Sequence, residues 1–239
     1  MNGSNVNGRM RNLPTCQRCH HKYHVDVPSP LPHVALHGAH CTLRPISSDD
    51  RDALMAAAEG NRGAFRYSWV PTPDANDVER YIDAACAEHA AGAGLAFVTC
   101  DSGGSVVGST RFMNAERWAT PDRHERPDAD PDAIEIGSTW LTARARRTGI
   151  NTEAKLLMLA HAFEVWQVRR VTIKTDARNA MSRRAIERLG AHLDGVLRSH
   201  MRASDGTERD SAWYSITAAE WPDVGTRLRA RLLPPTTHV

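Results

Sequence analysis

Between Arg144 and Asn151 the chain reads Arg-Ala-Arg-Arg-Thr-Gly-Ile-Asn, with three guanidiniums and a glycine in one turn. Such a turn suits an anion when a helix starts directly after it. The first-turn N–H groups lack intrahelical acceptors, the helix dipole is positive there, and arginine forks match phosphate oxygens. A phosphorylated cofactor is the ligand this chemistry suggests. It is not a dinucleotide or Walker loop: no G-x-G-x-x-G follows a strand, and no G-x-x-x-x-G-K-S/T occurs.

A second cluster of reactive residue types lies near the start, Cys16-Gln-Arg-Cys19-His20-His21, followed by His24, His33, His37, His40 and Cys41. Cys-x-x-Cys is half of a zinc site, and two of the histidines could complete it, although no second Cys-x-x-Cys closes it. The string Cys-x-x-Cys-His also spells a c-type haem attachment. That haem is attached outside the cytoplasm, and no export signal precedes it. The third reading is a leader whose cysteines hold nothing. Residues 1–38 are rich in Asn, Gly, Pro and His without sustained periodicity, so a low-order segment is expected there and a globular domain over 39–233.

Positioning the basic turn requires a strand before it and a helix after it. Ile134, Ile136 and Thr139–Leu141 have the strand pattern, preceded by the turn-rich Pro127–Asp132 stretch. A helix is expected from about Asn151, with Leu156, Leu157, Leu159, Ala160 and Phe163 as its apolar stripe. Upstream, His40–Pro45 reads as a strand, and Ser47–Asp50 offers caps for a helix through about Glu59. Ala64–Val70 is aromatic, and core packing is the ordinary role of Phe65, Tyr67 and Trp69. Asp74 or Asn76 caps the next helix; Leu95–Cys100 and Ser105–Met113 form a hairpin about Asp101–Gly104. His124 falls in a polar loop. Arg169–Thr175 is a further strand, then comes a helix ending at Leu189-Gly190. A hairpin of His192–Met201 and Arg209–Ile216, turned at Asp205-Gly206, and a helix over Ala218–Leu232 close the chain. The order implies a single α+β (mixed α/β) domain.

The 239 residues carry a net charge of +2 and 24% charged side chains, ordinary for a soluble globular protein and too balanced to imply nucleic acid or a membrane as partner. No run is long enough to span a bilayer, and a cytoplasmic protein is expected. The five cysteines are an odd, scattered set unlike a disulfide framework. Lys22, Lys155 and Lys174 are the only lysines; so strong a preference for arginine reads as codon bias.

Three segments point together: IEIG before the basic turn, RTGINTEAK across it, and TDARNAMSRRAIERLGAHLDGVLRSHMRASDGTERDSAWYSI after it. They resemble the RimJ/RimL-type branch of the GNAT N-acetyltransferases in order from about Thr42 to Trp221, and Arg146–Asn151 resembles that family's Q/R-x-x-G-x-G/A segment. Asn151 stands where the family usually has Gly or Ala. The resemblance implies the GNAT acyl-CoA N-acyltransferase fold, a central, mostly antiparallel twisted sheet flanked by helices. It implies acetyl-CoA as acyl donor and transfer to an amine by direct attack in a ternary complex. A protein N-terminus is the leading acceptor; a small-molecule amine or a non-catalytic acyl-CoA-binding role are the alternatives. A homodimer stays open.

By the same resemblance, backbone N–H groups near Trp140 and Leu141 hold the pantetheine arm. Arg146, Arg147, Thr148, Gly149, Asn151 and Thr152 bind the pyrophosphate, and Asn179 and Ser182 contact the arm. Arg144 either joins the arginines that meet a phosphate or is solvated. Glu135 is the candidate base, since the amine must lose a proton to attack; a structural ion pair is its other reading. Ile186 occupies the place of the family's tyrosine acid, with Tyr214 and Ser215 as candidate replacements. No metal takes part in the transfer.

Overall fold

A computed structural model describes residues 28–59, 67, 69–119 and 130–233. Alternating apolar residues in short runs build eight strands: β1 Leu36–His37, β2 Cys41–Pro45, β3 Leu95–Asp101, β4 Val106–Glu116, β5 Ala133–Leu141, β6 Arg170–Asp176, β7 His192–Arg202 and β8 Glu208–Thr217. They form one sheet in the order β1-β2-β3-β4-β5-β6-β8-β7. Every neighbouring pair is antiparallel except β5 and β6.

Two helices cover one face. Ser47 and Asp50 form a capping box at a short 3-10 turn, and α1 (Arg51–Ala58) follows. Helix α2 (Ala75–Ala90) begins at Asp74, whose side chain accepts from the N–H groups of Asn76 and Asp77. Leu54, Val78, Ile82, Val98 and Trp140 pack between these helices and the sheet. Helices α3 (Ile150–Ala160), α4 (Ala180–Leu189) and α5 (Trp221–Leu232) belong to the opposite face, over Phe97, Phe112, Ile134, Ile136, Val171 and Ile216. Gly190 ends α4 at φ 98°, a left-handed conformation that glycine adopts without strain.

The elements match the expected order, with three differences. The packed body starts before residue 39: Leu31 and Leu36 are buried, and β1 pairs with β2, because their side chains join the core beneath α3. The final helix begins at Trp221, after a turn through Ala218–Glu220. In α3 the buried face is Ile150, Glu153, Ala154, Lys155, Met158 and Leu159, while Leu156 and Leu157 are only partly covered. The stripe is rotated from the one expected, and two charged residues lie on its buried side.

Candidate active site

Strands β5 and β6 stay together for three rungs only, Ala133↔Arg170, Ile134↔Val171 and Glu135↔Thr172. Beyond them β5 runs on paired to β4 alone and β6 to β8 alone. Part of the cause is a bulge in β5. Its register against β4 slips between Ser109↔Trp140 and Arg111↔Gly137, and Ser138 takes φ 47°. The extra residue bends β5 away and leaves two strand edges facing a gap. A cleft of about 320 Å³ occupies it, lined by Glu135, Thr139, Asn151, Lys155, Lys174 and Ser182 among others.

Side-chain alternation sorts the cleft into two walls. Glu135 and Lys174 lie toward the α2 side, because Ile134, Ile136 and Ile173 face the core under α3 and α5. Glu135 is 3% exposed; its Oε2 accepts from Lys174 Nζ at 2.8 Å and from Asn114 Nδ2 at 2.8 Å. The carboxylate is therefore anchored and oriented. Lys174 also lies 4.9 Å from the centre of the Trp213 ring. Arg209, from β8, lines the same wall, and burial lowers its pKa.

On the α3 and α4 side are Asn151, Lys155, Ser182 and Ile186. Asn151 and Lys155 lie one helical turn apart on α3, so both reach the cleft. Lys155 is 5% exposed, and its Nζ donates to Thr139 Oγ1 at 2.6 Å and Thr110 Oγ1 at 2.8 Å. Desolvation pushes its pKa down to about 7.

Beyond this wall lies the basic turn. Arg144 pairs with Asp101 at 2.9 Å on the surface, which accounts for it without a phosphate. Arg146 folds inward, its Nε donating to the Leu141 carbonyl at 2.9 Å, and burial lowers its pKa. Arg147 is exposed at φ 59°. Thr148 Oγ1 donates to the Ala145 carbonyl and accepts from Ile150 N. Gly149 caps α3, and a Cβ there would come within 2.9 Å of the His40 ring, so glycine lets this turn pack against β2.

Of the residues singled out in the sequence, Glu135, Asn151 and Ser182 meet in the cleft. Arg146 to Thr152 form the adjoining turn and first turn of α3. Trp140 turns its side chain toward α2, where Nε1 donates to Tyr81 Oη at 3.3 Å; only its backbone lies along the cleft strand. Asn179 Oδ1 accepts from Ser182 N at 3.0 Å and so caps α4. Tyr214 and Ser215 are committed elsewhere: Tyr214 Oη bonds Arg183 and Glu187, and Ser215 Oγ bonds Asp194. Tyr67 and Trp69 line the cleft instead of packing in the core, Trp69 being 58% exposed. Cys16, Cys19, His20, His21, His24, Phe65 and His124 lie outside the described residues. Among the described residues no group of three or more His, Cys, Asp or Glu could hold a metal, and no helix is long and apolar enough to cross a membrane.

Lys155 and Lys174 were missed. The signal was their type. In a chain with three lysines among 30 basic residues, two of the three line the cleft.

The acetyltransferase (GNAT) domain model matches residues 40–192. Solved structures agree along most of the chain. A GCN5-related N-acetyltransferase from Brucella melitensis is 29% identical, with 87% of this chain and 90% of that one covered and a TM-score of 0.71. An acetyltransferase candidate from T. thermophilus is 31% identical over 85% of this chain and 98% of that one, at a TM-score of 0.68. Mycobacterium smegmatis RimJ, solved with CoA-disulfide, shares the fold at 24% identity and a TM-score of 0.67, covering 83% of this chain and 93% of that one. No curated protein matches the sequence. A strand pair that parts after three rungs, a basic turn leading into a helix, and these matches place the chain in the GNAT acetyltransferase family.

Proposed function

We propose that the protein is an acetyl-CoA-dependent N-acetyltransferase of the RimJ/RimL kind, acting on a primary amine, with a protein N-terminus as the first acceptor to test. The observation that carries this reading is the divergence of β5 from β6 immediately after Glu135. It sets unpaired strand edges, a buried carboxylate and a helix N-terminus along one cleft. The likeness to RimJ in fold supports the choice of branch.

The residues present fit a CoA-type donor. The stretch of β5 through Trp140 and Leu141 has no β6 neighbour, so N–H groups near these residues can pair with an amide-bearing arm. The turn from Arg146 to Thr152 offers first-turn N–H groups and the exposed Arg147 to phosphates. Asn151 and Ser182 line the path between, and Asn179 supports Ser182 from the start of α4. Acetyl-CoA supplies an acetyl group activated as a thioester.

The amine must be neutral to attack, and Glu135 is the group placed to take its proton. Lys174 and Asn114 fix the Glu135 carboxylate with Oε2 occupied, which leaves Oε1 for the amine or a bridging water. Tyr67, Trp69, Met113 and Met201 provide apolar contacts in the same cleft. No Ser-His-Asp or Cys-His arrangement is needed for direct attack within a ternary complex.

A thiol-release assay with acetyl-CoA against N-terminal peptides, polyamines and aminoglycosides tests the reading. Turnover with N-terminal peptides is expected. Turnover confined to small amines would replace the acceptor class, and binding of acetyl-CoA without turnover of any would favour a binding role.

A further inference from the structure

Among the described residues Lys155 has no carboxylate partner. Its ammonium carries three N–H donors; two reach Thr110 and Thr139, and the third has no acceptor among the described residues. Burying a lysine this way is costly, and methionine would fill the space without that penalty. The groups facing it do not repay the cost. Cys41 on β2 contributes a thiol that burial and Glu153 push up to about 12, so it is neutral at pH 7. Glu153, on the same helix, turns its carboxylate to the N–H groups of Ala39, His40 and Cys41. Thr110, Thr139 and Met158 complete the surroundings and are uncharged.

The other titratable side chains lining the cleft are occupied or unsuited to giving up a proton. Glu135 and Lys174 pair with each other. Arg209 stays protonated as a guanidinium, and Tyr67 lies beside Arg178. The choice of lysine matters in a chain that uses arginine almost everywhere. Arginine would supply the charge but could not be deprotonated, whereas lysine can cycle between two states.

We infer that Lys155 meets the departing CoA thiolate, its third N–H stabilising the sulfur charge and supplying the proton. The inference rests on the acetyl-CoA reading above. As the amine nitrogen bonds to the acetyl carbon, the carbon–sulfur bond breaks and its electron pair leaves on sulfur. A proton passes from Lys155 Nζ to sulfur, and the neutral lysine regains one from solvent. The proton lost by the amine goes to Glu135 and then to solvent, so the products are an amide and a thiol. With a pKa of about 7, Lys155 is a stronger acid than an ordinary thiol at about 8.5.

The test needs no acceptor. CoA and desulfo-CoA, which carries hydrogen in place of the thiol, are each bound to the protein and compared by calorimetry at about pH 6, where Lys155 is an ammonium. A donor aimed at the sulfur should make CoA bind about fivefold or more tightly than desulfo-CoA. In Lys155→Met that preference should vanish, while desulfo-CoA affinity stays within about threefold; thermal melts confirm folding. With an acceptor in hand, kcat should fall about 100-fold in Lys155→Met. Equal affinity for CoA and desulfo-CoA in the wild type would overturn the inference without any variant, and so would a preference that survives Lys155→Met. Failure of the wild type to bind CoA would overturn the donor assignment itself, an outcome calorimetry separates from the other two.

Discussion

At Glu135 two demands meet in one side chain. The carboxylate is anchored by Lys174 and Asn114 and still borders the cleft. Glu135→Gln should lower kcat by about 100-fold with little change in acetyl-CoA affinity, read by steady-state kinetics beside calorimetry. A purely structural ion pair would instead show as lost thermal stability at unchanged kcat. Asp176 is a different case. Hydrogen bonds from Arg178 hold its carboxyl below the usual carboxylate range. Its contribution to stability is present above the unfolded-state value near 4 and is lost as pH falls through the lower folded value. Asp176→Asn should therefore flatten the fall in melting temperature below about pH 4. The arginine-rich turn could be picked out in the sequence because local type and order mark it, and Glu135 was named as a candidate through the family resemblance. Lys155 could not be placed: its burial is decided by Thr110 and Thr139, 45 and 16 residues away.

Among the elements, α3 links the basic turn to the first strands. Glu153 is 6% exposed and accepts from three successive backbone N–H groups, those of Ala39, His40 and Cys41, at 2.6–2.8 Å. Gly38 permits this approach, since a Cβ there would lie 2.3 Å from Glu153 Cδ. Glu153→Ala strands these donors and should cost about 3 kcal/mol, measured by denaturant unfolding. Gly38→Ala should destabilise through the clash. Caps and turns were legible at this scale because their chemistry is local: Asp74, the Asp101–Gly104 turn, Asp205-Gly206 and Gly190 sit where expected. The rotation of the buried face of α3 was not, since Glu153 and Lys155 look like solvent-facing charges until β2, β4 and β5 supply their partners.

For the molecule as a whole, a donor held by both the α3 turn and the β5 edge should tie α3 to the sheet. At about 100 times its Kd, acetyl-CoA would add about 2.7 kcal/mol to the folded state. For a chain of this size that corresponds to a melting temperature higher by about 5–10 °C, checked by a thermal-shift titration. No shift at any concentration would count against the donor assignment. The fold class and the order of elements along the chain could be read from sequence, but the bulge that helps to part β5 from β6 could not. It sits at Ser138, a residue type that gives no warning of positive φ.

That three-rung pairing also makes β5 an unusual interior strand. It lies between two neighbours in the sheet order, yet from Ile136 to Leu141 it has a partner on one side only. Its gap-facing amides should take up deuterium as fast as those of an outer strand, in the middle of a sheet whose other amides are slow. Slowing of that exchange when a ligand docks would report occupancy strand by strand, so the molecule carries its own isotope gauge for the state of its cleft.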